Sequence, residues 1–243
     1  MADSNSYNPI FVAVDTDSRE DARRIVAAVT GRVGGVKLGK QFFMAHGPDG
    51  VRDVAPAGVP LFLDVKLHDI PNTVAGGIAS LTRSVQPDFI TIHASGGAAM
   101  VAAARAAAES AAAGLADGKR PKLLAVTVLT SLGDEDLAAM GVADGAAAQV
   151  LRLGRMAIAA GADGLVCSPQ ELPVLRAELG PDALLVTPGI RPTGADVGDQ
   201  KRVMTPAQAM AAGASYLVIG RPIAAAADPA AAAAAVMAEI EAG

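Results

Sequence analysis

Short apolar runs, many of them rich in β-branched residues, recur along the whole chain. There are eight, at Ile10–Val14, Gly35–Leu38, Leu61–Val65, Phe89–His93, Leu123–Val128, Gly164–Cys167, Leu184–Thr187 and Tyr216–Ile219. Most are nearly continuous in hydrophobicity, which is typical of parallel strands that are covered on both faces. The pattern therefore predicts eight buried strands.

Longer segments of helical composition separate these runs, and several are dominated by alanine, the residue with the highest intrinsic helix propensity. The predicted helices are Ser18–Val29, Thr73–Ser84, Gly97–Ala113, Gly145–Ala160, Pro169–Glu178, Thr205–Ala212 and Asp228–Glu241. The pattern over Gln41–Ala57 is ambiguous. Gly114–Pro121 and Thr193–Gln200 are the best candidates for long loops.

Alternation of strands and helices implies parallel strands joined by crossover helices. Eight such units in a chain of this length predict a (β/α)₈ TIM barrel of the α/β class. The alternative is an open doubly wound sheet, although no G-x-G-x-x-G follows the first strand, as a dinucleotide-binding sheet would require. No boundary divides the chain, so we expect one barrel domain over residues 1–243, with a polar tail at residues 1–8.

Composition narrows the classes of function. The chain has 243 residues, of which 51% are hydrophobic and only 3% aromatic, and its 20 basic and 25 acidic residues give a net charge of −5. This balance opposes binding of a nucleic acid polymer but allows a small anion held by local cations. There is no apolar stretch of the ~20 residues that cross a membrane and no basic leader, so we expect a cytoplasmic protein. The single cysteine, Cys167, allows no intramolecular disulfide.

Polar or backbone-exposing residues stand at nearly every predicted strand end, where the active site of a barrel lies. In chain order they are Asp15, Lys37, Asp64 with Lys66, His93, Thr130–Ser131, Ser168, Pro188–Gly189 and Gly220–Arg221. Asp64 and Lys66 are two positions apart on one strand, so their side chains point to the same face. Asp69 follows closely. Either these charges lie in water on an edge strand, or they pair in a site, and the apolar flanks favour the site.

Anion-binding features occur near the end of the chain. Gly220 and Arg221 follow the last strand, where barrels frequently bind phosphate through backbone N–H groups and bidentate arginine donors. Gln200, Lys201 and Arg202 lie in the preceding polar loop. They could close over the same anion, although solvation is the simpler interpretation for Lys201 and Arg202.

Together these segments resemble orotidine 5′-monophosphate decarboxylases of the bacterial type. The resemblance rests on Asp15, Val36–Gly39, the run D-V-K-L-H-D-I-P-N-T at Asp64–Thr73, Val128–Ser131, the run T-P-G-I-R-P at Thr187–Pro192, Gly198–Arg202 and Gly220–Pro222. It implies a homodimeric barrel that converts orotidine 5′-monophosphate to uridine 5′-monophosphate and CO₂, the last step of pyrimidine nucleotide synthesis. It also implies that no metal and no organic cofactor takes part.

The resemblance assigns roles residue by residue. It makes Lys66 the proton donor to C6 of the pyrimidine, places Asp64 beside the substrate carboxylate and makes Lys37 part of the same charge array. Residues that it implies are supplied to the neighbouring subunit's site are Asp69, Ile70 and Thr73. Residues that it implies hold the ribose, base or phosphate are Asp15, Thr130, Ser131, Pro188, Arg191, Gln200, Gly220 and Arg221.

Two other functions remain open. A metal-dependent sugar-phosphate decarboxylase or aldolase shares the barrel and a D-x-K-x-x-D strand, but the Ile70–Thr73 continuation and Gly189–Pro192 argue against it. A non-catalytic nucleotide-binding barrel would make Lys66 dispensable. His68 could suggest a metal ligand with Asp64 and Asp69, but the resemblance gives it no such role. We expect His93 and Cys167 to be packed residues.

Overall fold

Eight parallel strands close into a barrel in chain order, with β1 paired to β8. The computed structural model describes residues 7–55, 58–194 and 203–243. The strands are β1 Ile10–Val14, β2 Gly35–Gly39, β3 Leu61–Leu67, β4 Phe89–His93, β5 Lys122–Val126, β6 Gly164–Val166, β7 Leu184–Thr187 and β8 Tyr216–Ile219. The predicted barrel is confirmed, and the open sheet is excluded because the first and last strands are hydrogen-bonded.

Helices follow the strands around the outside of the barrel. They are α1 Arg19–Val29, α2 Lys40–Val54, α3 Pro71–Ser84, α4 Ala98–Ala112, α5 Asp134–Ala139, α6 Gly145–Ala159, α7 Leu172–Leu179, α8 Pro206–Ala211, α9 Arg221–Ala224 and α10 Pro229–Ala242. The ambiguous segment is α2, in which Gly47 has φ of +60° just before Pro48. This kink explains why the sequence lacks a regular helical pattern there.

Two helices were not predicted. Helix α5 has six residues and α9 has four, so neither offers enough turns for an apolar periodicity to be visible. The predicted helix Pro169–Glu178 is divided into a 3₁₀ turn at Pro169–Glu171 and α7.

The core has two layers. The larger layer lies between the strands and the surrounding helices, and the smaller one fills the barrel interior with Phe11, Ala13, Phe62, Phe89, Leu124, Val186 and Val218. The rings of Phe11 and Phe89 lie 5.3 Å apart, and Tyr216 lies 5.2 Å from Phe89. These aromatic residues fill the amino-terminal part of the barrel interior, and the polar strand ends surround the opposite end.

No helix in the described part of the chain is long and apolar enough to cross a membrane.

Candidate active site

A cavity of about 530 Å³ lies at the carboxyl ends of the strands. Nine of the residues predicted from the sequence line it, namely Asp15, Lys37, Asp64, Lys66, Thr130, Pro188, Arg191, Gly220 and Arg221. They come from β2, β3 and the segments that follow β1, β5, β7 and β8. The barrel therefore brings together residues that are far apart in sequence.

Asp64 and Lys66 form the centre of the cavity's charged wall. The Lys66 ammonium donates to both carboxylate oxygens of Asp64, with Nζ to Oδ1 at 2.7 Å and Nζ to Oδ2 at 2.8 Å. The side chain of Asp64 is 12% exposed and that of Lys66 is 28% exposed. Charges so far removed from water are tolerated because they are paired.

Lys37 joins this pair to Asp15. Its Nζ lies 3.2 Å from Asp15 Oδ1 and 3.4 Å from Asp64 Oδ2, and its side chain is only 8% exposed. Gly39 leaves room for the contact, because a Cβ there would lie 3.3 Å from both Lys37 Nζ and Asp15 Oδ1. The result is a continuous row of alternating charges, Asp15, Lys37, Asp64 and Lys66.

The environment of Asp64 keeps its carboxylate ionised. Burial alone would raise the pKa of Asp64, but the positive charges of Lys37 and Lys66, with hydrogen bonds from Lys66 and Thr91, outweigh burial and lower the pKa below its usual value. Asp64 is therefore a permanent negative charge at neutral pH, buried next to two cations.

A break in the pairing of β3 with β4 presents these side chains. Leu63 pairs with Ile90 and Leu67 with Ile92, so three residues of β3 face only Thr91 on β4. Lys66 has φ of +48° within this bulge, a conformation that non-glycine residues rarely adopt. Sequence reasoning missed Thr91, although a polar residue within the apolar run of β4 was a visible signal.

Four other predicted residues do not line the cavity. Asp69, Ile70 and Thr73 lie on the exposed surface between β3 and the start of α3, and Ser131 is exposed in a turn after β5. The Asp69 carboxylate accepts a hydrogen bond from the backbone N–H of Ile70 at 2.7 Å. No ion pair among the described residues joins Asp69 to Lys66 of the same chain. Gln200, Lys201 and Arg202, as well as most of the predicted loop Thr193–Gln200, lie outside the described residues.

The apolar part of the cavity was also missed. Its residues include inward-facing strand positions and their continuations, namely Ala13, Phe62, Val126, Val128, Leu129, Val166, Cys167 and Val218. The two-residue alternation along β3 and β5 could have identified some of them. Cys167 is buried as expected, and burial raises the pKa of its thiol to about 12, so it stays protonated.

The two histidines near the site are neighbours. The rings of His68 and His93 lie 5.2 Å apart. Burial, followed by the charges of His68, Lys40 and Lys66, lowers the pKa of His93 to about 4, so it is neutral at physiological pH. No three His, Cys, Asp or Glu side chains within the described ranges are grouped so that they could hold a metal ion.

Comparisons with known proteins agree on one family. Residues 8–236 match the sequence model of the family described as "Orotidine 5'-phosphate decarboxylase / HUMPS family". The orotidine 5′-phosphate decarboxylase of Rhodospirillum rubrum is 53% identical over 97% of this chain and 95% of its own. That of Gluconobacter oxydans is 53% identical over 95% of this chain and 96% of its own.

A solved structure gives the same result for the fold. The crystal structure of orotidine 5′-phosphate decarboxylase from Lactobacillus acidophilus superposes with a TM-score of 0.82 at 38% identity, covering 96% of this chain and 99% of that one. The match of the whole barrel and the high identity to named decarboxylases lead to one conclusion. This chain belongs to the orotidine 5′-phosphate decarboxylase family.

Proposed function

We propose that this chain converts orotidine 5′-monophosphate to uridine 5′-monophosphate and CO₂. The observation that carries the proposal is the row of alternating charges around the buried Lys37 and Asp64, with Lys66 bound to Asp64 at 2.7 Å at the wall of a cavity large enough for a nucleotide. The names of the relatives support the same reaction.

The chemistry requires a positioned cation and acid. When the bond between C6 and the carboxylate breaks, the electron pair stays on C6, and the pyrimidine ring offers no good position to delocalise it. The Lys66 ammonium stabilises this developing negative charge and then transfers a proton from Nζ to C6. Lys66 takes up a proton from solvent to complete the cycle. The Asp64 carboxylate, which accepts from Lys66 Nζ through both of its oxygens, holds the ammonium in position.

The remainder of the cavity supports nucleotide binding. Arg191 and Arg221, on the segments after β7 and β8, supply cations for the phosphate, and Gly220 adds backbone without a side chain to the cavity wall. Asp15 lies where it can accept hydrogen bonds from ribose hydroxyls, and Thr130 and Pro188 border the place of the base. Binding of the phosphate, which is remote from C6, supplies free energy that can be used in the transition state.

A second copy of the chain completes the site in this proposal. Ile70 is a large apolar side chain that is 67% exposed, directly beside the Asp69 carboxylate. In a dimer formed through this segment, the neighbouring subunit would cover the Ile70 side chain and remove its apolar surface from water. Asp69, Ile70 and Thr73 would enter the neighbouring subunit's cavity, where Asp69 becomes the second carboxylate near Lys66.

A spectrophotometric assay of the purified protein with orotidine 5′-monophosphate tests the proposal. We expect turnover to uridine 5′-monophosphate that is unchanged by EDTA. Absence of turnover would contradict the proposed reaction, and loss of turnover with EDTA, restored by a divalent metal, would favour the metal-dependent alternative.

A further inference from the structure

Thr91 stands at the break in the pairing of β3 with β4, outside the cavity wall. Its neighbours Ile90 and Ile92 pair with Leu63 and Leu67, so Thr91 alone faces the stretch of β3 that contains Asp64 and Lys66. Thr91 is 0% exposed. Its hydroxyl therefore acts in a place that water does not reach.

The hydroxyl makes one hydrogen bond to each of the two charged residues. The backbone N–H of Lys66 donates to Thr91 Oγ1 at 2.9 Å, and Thr91 Oγ1 donates to Asp64 Oδ1 at 2.9 Å. The first contact satisfies a backbone donor that the bulge removes from the strand ladder. The second fixes the carboxylate oxygen that also accepts from Lys66 Nζ.

We propose that Thr91 is a positioning residue for decarboxylation, holding the strained backbone of Lys66 and the Asp64 carboxylate in one geometry through its hydroxyl. Lys66 adopts φ of +48°, and such a conformation persists only where the surroundings enforce it. Because the hydroxyl both accepts from and donates to the bulge, the proton donor and its carboxylate partner are fixed relative to each other. The proposal rests on the reaction proposed above.

Replacement of Thr91 by valine separates positioning from packing. Valine has nearly the same shape, so it fills the same space, but it leaves the Lys66 N–H without its acceptor and Asp64 without one donor. Displacement of a reacting group by about 1 Å costs on the order of 100-fold in rate. For Thr91→Val we therefore expect kcat to fall by about 10- to 100-fold, with KM for orotidine 5′-monophosphate changed by less than about 3-fold.

Two variants serve as comparisons. Thr91→Ser keeps the hydroxyl and is expected to retain most of kcat. Thr82→Val removes the hydroxyl of a threonine on α3 that is also 0% exposed, and its Oγ1 has no hydrogen-bond partner among the described residues. It should leave kcat and KM unchanged. Thr91→Ala, made in parallel, gives a second variant without the hydroxyl in case valine prevents folding.

A titration that does not depend on turnover provides a second readout. Thr91 is one of the groups that favour the charged form of Asp64. The carboxyl ¹³C signal of Asp64, followed by NMR against pH, should therefore titrate at a higher pH in Thr91→Val than in the wild type. The Thr91→Ser signal should stay close to the wild-type position.

The outcomes distinguish this proposal from the reaction it rests on. A wild-type protein without decarboxylase activity would contradict the proposed function, and the NMR titration would then decide the role of Thr91 alone. An active wild type with undiminished kcat in Thr91→Val or Thr91→Ala would overturn the positioning role. A Thr91→Ser variant that folds but loses as much kcat as the valine variant would also overturn it.

Discussion

At the residue scale, each charge in the cavity is held mainly by other charges. Lys37 is 8% exposed and contacts two carboxylates, and Asp64 is 12% exposed and contacts two ammonium groups. Removal of Asp64 would leave the Lys66 ammonium without the carboxylate that it contacts, and loss of one partner of a buried pair is far more costly than the net value of the pair. Substitutions here therefore change both the chemistry and the electrostatic balance of the cavity.

Replacement of Lys66 by alanine removes the proposed proton donor. General acid catalysis typically contributes 10²- to 10⁴-fold, and the same ammonium also stabilises the carbanion, so we expect kcat to fall by at least about 10³-fold. Binding of uridine 5′-monophosphate, measured by calorimetry, should persist because the phosphate contacts remain. Lys122→Ala, which removes an exposed lysine at the amino end of β5, is the matched control. Near-normal turnover in Lys66→Ala would contradict the assigned role.

The charged residues of the site could be identified from the sequence, but the residue that hydrogen-bonds to them and holds them in place could not. Asp64 and Lys66 were predicted to share a face because they are two positions apart, and both line the cavity. The contact of Thr91 with both depends on the shift in pairing between β3 and β4, which no local pattern specifies. The sequence therefore predicted which side chains are charged, whereas their precise arrangement came only from the fold.

At the element scale, a repeated side-chain clamp joins neighbouring strands at the amino end of the barrel. The residues immediately before β4, β6 and β8 are Asp88, Asp163 and Ser215. Each accepts through its side chain from the backbone N–H of Leu61, Leu123 or Leu185 on the preceding strand, at 2.8, 2.8 and 3.1 Å respectively. In return, the backbone N–H of each of these three residues donates to the carbonyl oxygen of the same leucine, at 2.8, 2.9 and 2.7 Å respectively. These reciprocal pairs fix the register of three strand pairs.

Of these three residues, Asp163 makes the most side-chain contacts. Its carboxylate also accepts two hydrogen bonds from Arg120, at 2.7 and 2.8 Å. Burial would raise the pKa of Asp163, but Arg120, the Leu123 N–H and Arg105 outweigh burial and lower it. We expect Asp163→Ala to reduce the free energy of unfolding at pH 7 by about 2–4 kcal/mol, measured by chemical denaturation.

The pH dependence of this effect follows from the lowered pKa. A carboxyl group whose pKa is lower in the folded state stabilises the fold above its unfolded pKa, and this contribution disappears as pH falls through the folded value. The difference in the free energy of unfolding between wild type and Asp163→Ala should therefore be largest near neutral pH and shrink below about pH 4. Ser215→Ala, which removes a neutral hydrogen-bond acceptor, should lower the free energy of unfolding by only about 1 kcal/mol. A pH-independent loss in Asp163→Ala would contradict the ionic origin of its contribution.

The elements themselves were largely predictable. All eight strands correspond to predicted apolar runs, because a barrel strand is covered on both faces and stays apolar along its length. Strand ends were less accurate. Strand β3 continues past the predicted Val65 to Leu67, since the charged residues at its end face the cavity rather than interrupting the sheet. The short helices α5 and α9 leave no clear periodic signal, whereas α8, also of six residues, is marked by its Thr205 N-cap and Pro206.

At the scale of the whole molecule, the two ends of the barrel differ in chemistry. Rings of Phe11, Phe62, Phe89 and Tyr216 pack together at the amino end, and this group contains more than half of the seven aromatic residues in the chain. The carboxyl end holds the cavity and the charge row, and among the described residues only Phe62 of the amino-end group reaches the cavity wall. Recognition of the base there must rely on hydrogen bonds and aliphatic contacts more than on aromatic stacking.

The exposed segment after β3 is the part of the chain that is proposed to enter the neighbouring subunit's cavity. Asp69, Ile70 and Thr73, which are proposed to be shared between subunits, do not line the cavity of their own chain. A fully functional site in this account therefore needs Lys66 from one subunit and Asp69 from the other. A homodimer provides two such sites related by symmetry.

Heterodimers of two inactive variants test this central claim most directly. Lys66→Ala and Asp69→Ala subunits carrying different affinity tags can be co-expressed and purified through both tags, so that each dimer contains one of each. Only one of its two sites then combines an intact Lys66 with an intact Asp69. We expect each homodimeric variant to be nearly inactive and the heterodimer to recover about half of the wild-type turnover per dimer. A heterodimer no more active than either variant alone would contradict the shared site.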